Sequence, residues 1–147
     1  MQPVGVDYAA MKLKILAAAV LVMSGYGIGR ASQPAAPAHI YELRTYTAAE
    51  GKLDAVNARF RDNTRRIFDR HNMKSVGYWL PTEGDKAGTT LIYILEHPSR
   101  EEARKNWAEF SADPEWQKVK AESEKDGRIV AKAESVFMSA TDYSPIK

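Results

Sequence analysis

The chain has 147 residues, enough for one domain with a hydrophobic core. It has no cysteine, which excludes disulfides, thiol catalysis and cysteine-rich zinc sites. Of its 21 basic and 19 acidic residues, Lys12, Lys14, Arg30 and Asp7 lie in the first 38, so residues 39–147 carry 18 of each. A domain so balanced in charge has no electrostatic footprint for nucleic acid, and we predict no nucleic-acid partner.

The first 38 residues have the order of a secretory signal. Lys12 and Lys14 precede the apolar, uncharged stretch 15–23, and small residues and an Ala/Pro-rich linker follow. The apolar stretch is too short to span a bilayer comfortably. We therefore predict export to a bacterial periplasm, with no stable membrane insertion after signal cleavage. The alternative is an uncleaved leader that anchors the chain, and Met11 is an alternative start of translation.

Four strands and two helical regions are predicted after the leader, from the alternation of apolar residues in the strands and their helical spacing in the helices. The strands are predicted at residues 39–46, 73–80, 89–96 and 129–138, and the helices at 53–71 and 100–125. Asn72 stands where a left-handed residue ends a helix. Ser99 and Asp113 are predicted N-caps, and the second helical region restarts after Asp113.

The β-α-β-β-α-β order predicts an α+β, ferredoxin-like fold: a four-stranded antiparallel sheet with helices on one face. In the second strand, alternation puts Val76, Tyr78 and Leu80 on one face and Gly77 and Trp79 on the other. The face without helices needs cover, because Ile92 and Ile94 would be exposed there beside Tyr46 and Val136. A second copy could cover it by two-fold symmetry, so we predict a homodimer and a dimeric α+β barrel.

Three segments carry a family resemblance. They are YELRTY (41–46), RHNMKSVGYW (70–79) and SADPEWQKV (111–119), and in their order they resemble the NIPSNAP family. The resemblance covers roughly residues 39–138, which is nearly all of the predicted domain at 39–147. It implies a dimeric α+β barrel but little about chemistry. Related barrels include small monooxygenases that oxidise aromatic compounds without metal or flavin, haem-handling enzymes and binding domains.

The first strand carries two opposite charges, Glu42 and Arg44, on one face. In the predicted sheet we expect Arg44 to face Glu96 on one side and Glu134 on the other, with Glu42 nearby. One interpretation is a buried ion network that fixes the fold. The other is a site in which Arg44 binds an anionic or carbonyl group and a carboxylate moves a proton.

The histidines give little sign of a metal. His71 falls on the buried stripe of the first helix, either as a partly buried residue stabilised by the helix dipole or as a general base or haem ligand. His97 is predicted to lie in a loop. No two histidines have the spacing of a helical zinc pair, so we predict no metal and no other cofactor.

Aromatic and arginine residues allow two interpretations each. The rings of Tyr41, Tyr78, Tyr93 and Trp107 either fill the core or line a cleft between helices and sheet that holds a flat apolar ligand. A run of arginines on the first helix is interleaved with aspartates, which predicts a solvated face rather than a phosphate site. The run consists of Arg59, Arg61, Arg65, Arg66 and Arg70.

The sequence therefore favours a homodimeric module that binds a small apolar or aromatic molecule or another protein. It has no glycine-rich phosphate loop and no nucleophile elbow, so common nucleotide and hydrolase chemistry is not expected. The alternative is a cofactor-free monooxygenase or isomerase that uses Arg44, His71 and Glu96 as the polar groups of its pocket. The candidate binding residues are Tyr41, Arg44, Tyr78, Tyr93, Glu96 and Trp107.

Overall fold

A computed structural model describes residues 39–146 of the chain. The predicted signal segment and the alternative start at Met11 lie outside these residues. The elements are β1 (Ile40–Ala48), α1 (Leu53–Arg59), a π-helical turn (Phe60–Thr64), α2 (Arg65–Arg70), β2 (Lys74–Trp79), β3 (Thr90–His97), α3 (Arg100–Ala112), α4 (Pro114–Ser123) and β4 (Val130–Ser139). The predicted β-α-β-β-α-β order is confirmed.

The four strands form one antiparallel sheet in the order β2-β3-β1-β4, with β1 and β3 in the middle. The helices lie against one side of it, here called the helix face, and the opposite side is called the open face. The core lies between helices and helix face. It contains Tyr93 and Leu95 of β3 together with Phe60, Phe68 and Phe110 of the helical regions.

The first helical region runs without a break from Leu53 to Arg70, but one turn of it is wider than an α-helix. Residues Phe60–Thr64 form a π-helical turn, in which the Thr64 hydroxyl donates to the Arg59 carbonyl at 3.1 Å. The predicted buried stripe is confirmed, since Val56, Phe60, Thr64, Ile67 and Phe68 are all buried. A π-helical turn inside an α-helix is uncommon and was not predicted.

The first helical region ends at Asn72 by two hydrogen bonds that reach back into its last turn. The Asn72 amide donates to the Asp69 carbonyl at 3.3 Å, and the Met73 amide to the Phe68 carbonyl at 3.0 Å. Asn72 has a positive φ of 55°, as this motif requires. Met73 and Phe68 are both buried in the core, which supplies the apolar contact that usually accompanies the motif. The predicted helix end is confirmed.

Strand β2 contains an irregularity that changes which side chains share a face. Its register with β3 shifts between Ser75 and Gly77, so the extra residue, Val76, faces the same side as Gly77. The prediction that Val76 and Tyr78 share a face is therefore wrong: Tyr78 stacks on Tyr93 in the core, with ring centroids 5.6 Å apart.

The open face is apolar in the middle and has no helix over it among the described residues. One row across the four strands is Gly77, Ile94, Leu43 and Val136, and the next is Trp79, Ile92, Thr45 and Glu134. Val136 is 55% exposed and Trp79 49% exposed, while Leu43, Ile92 and Ile94 are half-buried. The prediction that Tyr46 belongs to this face is wrong, because its ring packs on Phe60 and Tyr93 in the core.

We expect glycine to be better than alanine at position 72, the reverse of their order inside a helix. Asn72→Ala should lower the free energy of unfolding by about 1 kcal/mol relative to Asn72→Gly, because a Cβ disfavours the left-handed conformation. Ala108→Gly, on the exposed side of α3, is the control and should lower it by about 0.5–1 kcal/mol. Urea denaturation measures all three. The same order at both positions would contradict the role given to Asn72.

Candidate functional site

A buried carboxylate, Glu42, lies at the centre of the helix face and is 1% exposed. Its Oε1 accepts from Arg44 Nη1 at 2.9 Å and from the Ser135 hydroxyl at 2.6 Å. Its Oε2 accepts from the Trp107 indole at 2.7 Å and from His97 Nε2 at 3.1 Å. The four donors come from β1, β3, β4 and α3, so this one side chain connects three strands and a helix.

The environment of Glu42 keeps the carboxylate ionised. Burial by itself would raise its pKa, but the hydrogen bonds from His97, Ser135 and Trp107 and the charge of Arg44 outweigh that effect. The pKa of Glu42 is lowered from 4.5 to about 2. Each oxygen already accepts two hydrogen bonds, so Glu42 is poorly placed to take a proton from a substrate.

Arg44 completes the cluster from the next position on the same face. Its guanidinium lies over the Trp107 ring, 4.5 Å from the centroid, and its Nη2 donates to the Tyr46 hydroxyl at 3.3 Å. Burial alone would lower the pKa of Arg44, but Tyr93, Tyr46 and Glu42 raise it above its ordinary value. Arg44 is therefore a permanent cation with an internal counterion.

The expectation that Glu42 lies near Arg44 is confirmed by their ion pair, but the predicted cross-strand partners of Arg44 are wrong. Its cross-strand neighbours are Tyr93 and Ser135, whereas Glu96 stands opposite Tyr41 and Glu134 opposite Thr45. A shift of one residue in register puts a side chain on the other face of a sheet, and both glutamates lie on the open face.

His97 and Ser135 are members of the cluster that the sequence analysis missed. His97 was predicted to lie in a loop but is the last residue of β3 and is fully buried. The signal was present: Tyr93, Leu95 and His97 alternate, and Pro98 ends the strand only after them. Ser135 offers no such signal, because a serine on an edge strand is ordinary.

Glu96 belongs to the open face, where it is paired. Its carboxylate bonds His39 Nδ1 at 2.5 Å and Lys74 Nζ at 2.9 Å. Burial by itself would raise the pKa of Glu96, but its hydrogen bonds and charge interactions with Lys74 and His39 outweigh that effect. The pKa of Glu96 is therefore lowered. Tyr41 stands opposite Glu96 and is 6% exposed, yet its hydroxyl has no hydrogen-bond partner within the described residues.

The aromatic candidates do not line one cleft. Tyr78, Tyr93 and Trp107 lie on the helix side, where Phe60 and Phe68 pack against them edge to face or tilted. Tyr41 lies on the open face, so the prediction that it shares their cleft is wrong. On that face it lines an apolar groove of about 290 Å³ with Val76, Ile94 and Met138. Five residues near the C-terminus form the other wall: Ser139, Ala140, Thr141, Ser144 and Ile146.

The NIPSNAP family model matches residues 41–145. The chain belongs to the NIPSNAP family. The fold is similar to that of a NIPSNAP family protein of unknown function from Agrobacterium tumefaciens. The two sequences are 24% identical, the match covers 76% of this chain and 96% of that chain, and the TM-score is 0.65. An uncharacterised NIPSNAP-like domain protein from Burkholderia xenovorans is also similar, with 16% identity and a TM-score of 0.65. This match covers 75% of this chain and 91% of that chain.

SnoaB, a cofactor-independent oxygenase from Streptomyces nogalater, is more distant, with 17% identity and a TM-score of 0.49. The match covers 74% of this chain and 98% of that chain. No curated protein matches the sequence.

Two of the segments that resemble the NIPSNAP family are bonded to each other. His71 Nε2 lies 2.7 Å from Asp113 Oδ2, and Arg70 donates to the same oxygen at 2.6 Å. The other oxygen of Asp113 accepts from the amides of Glu115 and Trp116 and so caps α4. His71 and Arg70 hold the pKa of Asp113 well below its usual range. His71 therefore joins the end of α2 to the start of α4.

The arginines of the NIPSNAP domain are more engaged than predicted. Arg59 is 6% exposed, pairs with Glu124 at 3.0 Å and lies over the Trp116 ring, so the prediction of a solvated face is wrong for it. Arg66 and Arg70 both pair with Glu115 on the exposed side.

The three candidate catalytic residues lie in three separate places. Arg44 is on the helix face, Glu96 on the open face and His71 beside α4, each with a charged partner of its own. Among residues 39–146, no group of three or more histidine or acidic side chains could hold a metal ion. The helices within the same range are too short or too polar to cross a membrane.

We expect the Glu42 cluster to stabilise the NIPSNAP domain in a pH-dependent way. Glu42→Gln should lower the free energy of unfolding by about 3 kcal/mol at pH 7, because Arg44 loses its buried counterion. A carboxyl whose pKa is lower in the folded protein stabilises the fold above the unfolded pKa. The difference between variant and wild type should therefore shrink as the pH falls from 4.5 towards 2.

Urea denaturation at several pH values measures this difference. The control is Glu109→Gln on the exposed side of α3, which should change stability little at any pH. A Glu42→Gln variant as stable as wild type at pH 7, or an effect that does not change with pH, would contradict the prediction.

Proposed function

We propose that this NIPSNAP domain is a homodimeric binding module that holds a small, largely apolar molecule on the open face of its sheet. The observation that carries the proposal is the open face itself. One of its middle rows is wholly apolar, Trp79 and Ile92 extend the apolar surface in the next row, and no helix among the described residues covers them. An apolar surface of this kind marks an interaction site in soluble proteins.

A second copy of the chain suits the open face because two such faces are complementary by symmetry. Leu43, Ile92 and Ile94 are half-buried near the middle, while Trp79 and Val136 stand out at the two edges. Two-fold pairing would bury these side chains against each other and close two sheets into a barrel. The ring of Trp79 lies over Gly77, where an added Cβ would be 2.7 Å from the ring, so glycine keeps this part of the face flat.

A small ligand suits the same face because its apolar side chains do not fill it. The groove beside Tyr41 has a volume of about 290 Å³, close to the lower end of the roughly 300–1,000 Å³ typical of ligand pockets. Its walls carry no charged side chain. In a dimer the groove would open into the space between two sheets, where water is largely excluded.

The geometry gives less support to the monooxygenase or isomerase alternative. That alternative needs Arg44, His71 and Glu96 in one pocket, and they lie apart with their charges already paired. A binding role needs no such constellation, and we therefore prefer it.

We expect a charge on the open face to break the dimer. Val136→Glu puts a carboxylate among apolar side chains in the proposed interface, where an unpaired charge is strongly unfavourable. Ala133→Glu is the matched control, because it makes a similar change on the same strand but on the helix face, where residue 133 is exposed. Native mass spectrometry should give dimers for wild type and the control and monomers for Val136→Glu. A folded wild-type monomer at micromolar concentration would overturn the dimer.

We also propose that the protein is exported. The proposal rests on the signal-like order of residues 1–38 and on β1, which begins at Ile40 directly after the Ala/Pro-rich linker. The intact mass of protein from a periplasmic fraction should be that of a chain lacking most of these residues. A full-length chain found in the membrane fraction would instead support the anchored alternative.

A further inference from the structure

The groove on the open face contains a polar group whose hydrogen-bonding capacity is unused. Tyr41 is 6% exposed and lines the groove, and its hydroxyl has no hydrogen-bond partner within residues 39–146. Buried hydroxyl groups in folded proteins nearly always form a hydrogen bond, because the hydrogen bonds to water that they lose on burial must be replaced. The Tyr93 hydroxyl is likewise without a partner among the described residues, but it lies in the packed core, whereas Tyr41 lines a groove that a ligand could enter. The unused hydroxyl at the groove is therefore a sign of an absent partner.

The nearest charged side chain across the sheet does not serve as that partner. Glu96 stands opposite Tyr41 on β3, but its carboxylate is bonded to His39 and Lys74. These three side chains satisfy one another beyond the end of the groove. The Tyr41 side chain thus lines the groove with a hydroxyl that has no partner among the described residues.

The walls of the groove determine what kind of molecule could supply the missing partner. Val76, Ile94, Met138 and Ile146 give an apolar lining, and Ser144 adds a hydroxyl that is already bonded to the Ile146 carbonyl at 2.7 Å. No charged side chain lines the groove, so an ionic ligand would lose its hydration without compensation. A phenolic hydroxyl donates a hydrogen bond readily, which favours a ligand with an acceptor oxygen.

We infer that the groove binds an uncharged, largely apolar carbonyl compound whose oxygen accepts a hydrogen bond from the Tyr41 hydroxyl. The inference rests on the proposed binding role of the open face and makes it specific. The C-terminal segment forms one wall of this site, and the bond from the Ser144 amide to the Thr141 carbonyl at 3.1 Å closes a turn within it. The segment therefore contributes to the choice of ligand.

The test uses two probes of nearly equal shape, para-fluoroacetophenone and para-fluoroethylbenzene, and fluorine NMR to measure their binding to the full chain. Wild type should bind the ketone more tightly than the hydrocarbon. Tyr41→Phe should weaken binding of the ketone about three- to tenfold, the effect of one hydrogen bond, and leave the hydrocarbon unchanged. Tyr143→Phe removes a hydroxyl from an 83% exposed ring that does not line the groove, and it should behave as wild type.

The melting temperature without probe separates a ligand contact from a structural one. Tyr41→Phe should melt no lower than wild type, because it removes a buried hydroxyl that has no partner. A lower melting temperature would show that the hydroxyl is bonded in the free protein and would overturn the inference.

The outcomes also distinguish this inference from the proposed function. Equal affinity of wild type for both probes would overturn the carbonyl site and leave apolar binding on the open face standing. If Tyr41→Phe weakened the binding of both probes equally, the carbonyl site would also be overturned and apolar binding on the open face would stand. Binding of neither probe would overturn both the carbonyl site and the proposed ligand role.

Discussion

The fold of this domain depends on one ion pair that is buried where a core would normally be apolar. The carboxylate of Glu42 costs free energy to desolvate, and only its four donors, one of which is the Arg44 guanidinium, make the burial tolerable. Because the donors come from β1, β3, β4 and α3, the pair can be satisfied only when these elements are in their native places. The charge thus gives specificity to the arrangement of the strands. Both oxygens of Glu42 are used in these structural hydrogen bonds.

The two sides of the sheet consequently have different roles. On the helix face, the charged pair and a packed set of rings leave little room, and Arg44 and Trp107 already donate to Glu42, although the hydroxyl of Tyr93 has no hydrogen-bond partner among the described residues. On the open face, apolar side chains are half-buried and a groove remains beside a free hydroxyl. Function is therefore to be sought on the side of the sheet that the helices do not cover.

Local signals in the sequence were enough for the elements and their order. Ser99 accepts from the Glu102 amide and Asp113 caps α4, as their positions before apolar helical stretches indicated. The three family segments were also sufficient to indicate the NIPSNAP fold from the sequence alone. These features depend on residues that are close together in the sequence, so a single sequence is enough to predict them.

The candidate site was harder to predict because it depends on how strands are aligned with one another. Alternation assigns faces within a strand but does not say which residue stands opposite in the next one. The error at Arg44 has this origin. The bulge at Val76 put this residue on the opposite face from Tyr78, and the isolated Gly77 inside the strand was a local sign of it. The position of Tyr41 beside a groove depends on both effects together.

The contacts of Asp113 have a consequence for cooperativity. The aspartate begins the second helical region but accepts from Arg70 and His71 at the end of the first, just as Glu42 of the first half accepts from Trp107, His97 and Ser135 of the second. Each half of the chain thus leaves polar groups unsatisfied unless the other half is folded. If one half opened alone, groups that stay buried in the other half would lose their hydrogen-bond or ion-pair partners, which is costly. The amide hydrogens of both halves should therefore exchange with solvent as a single cooperative unit.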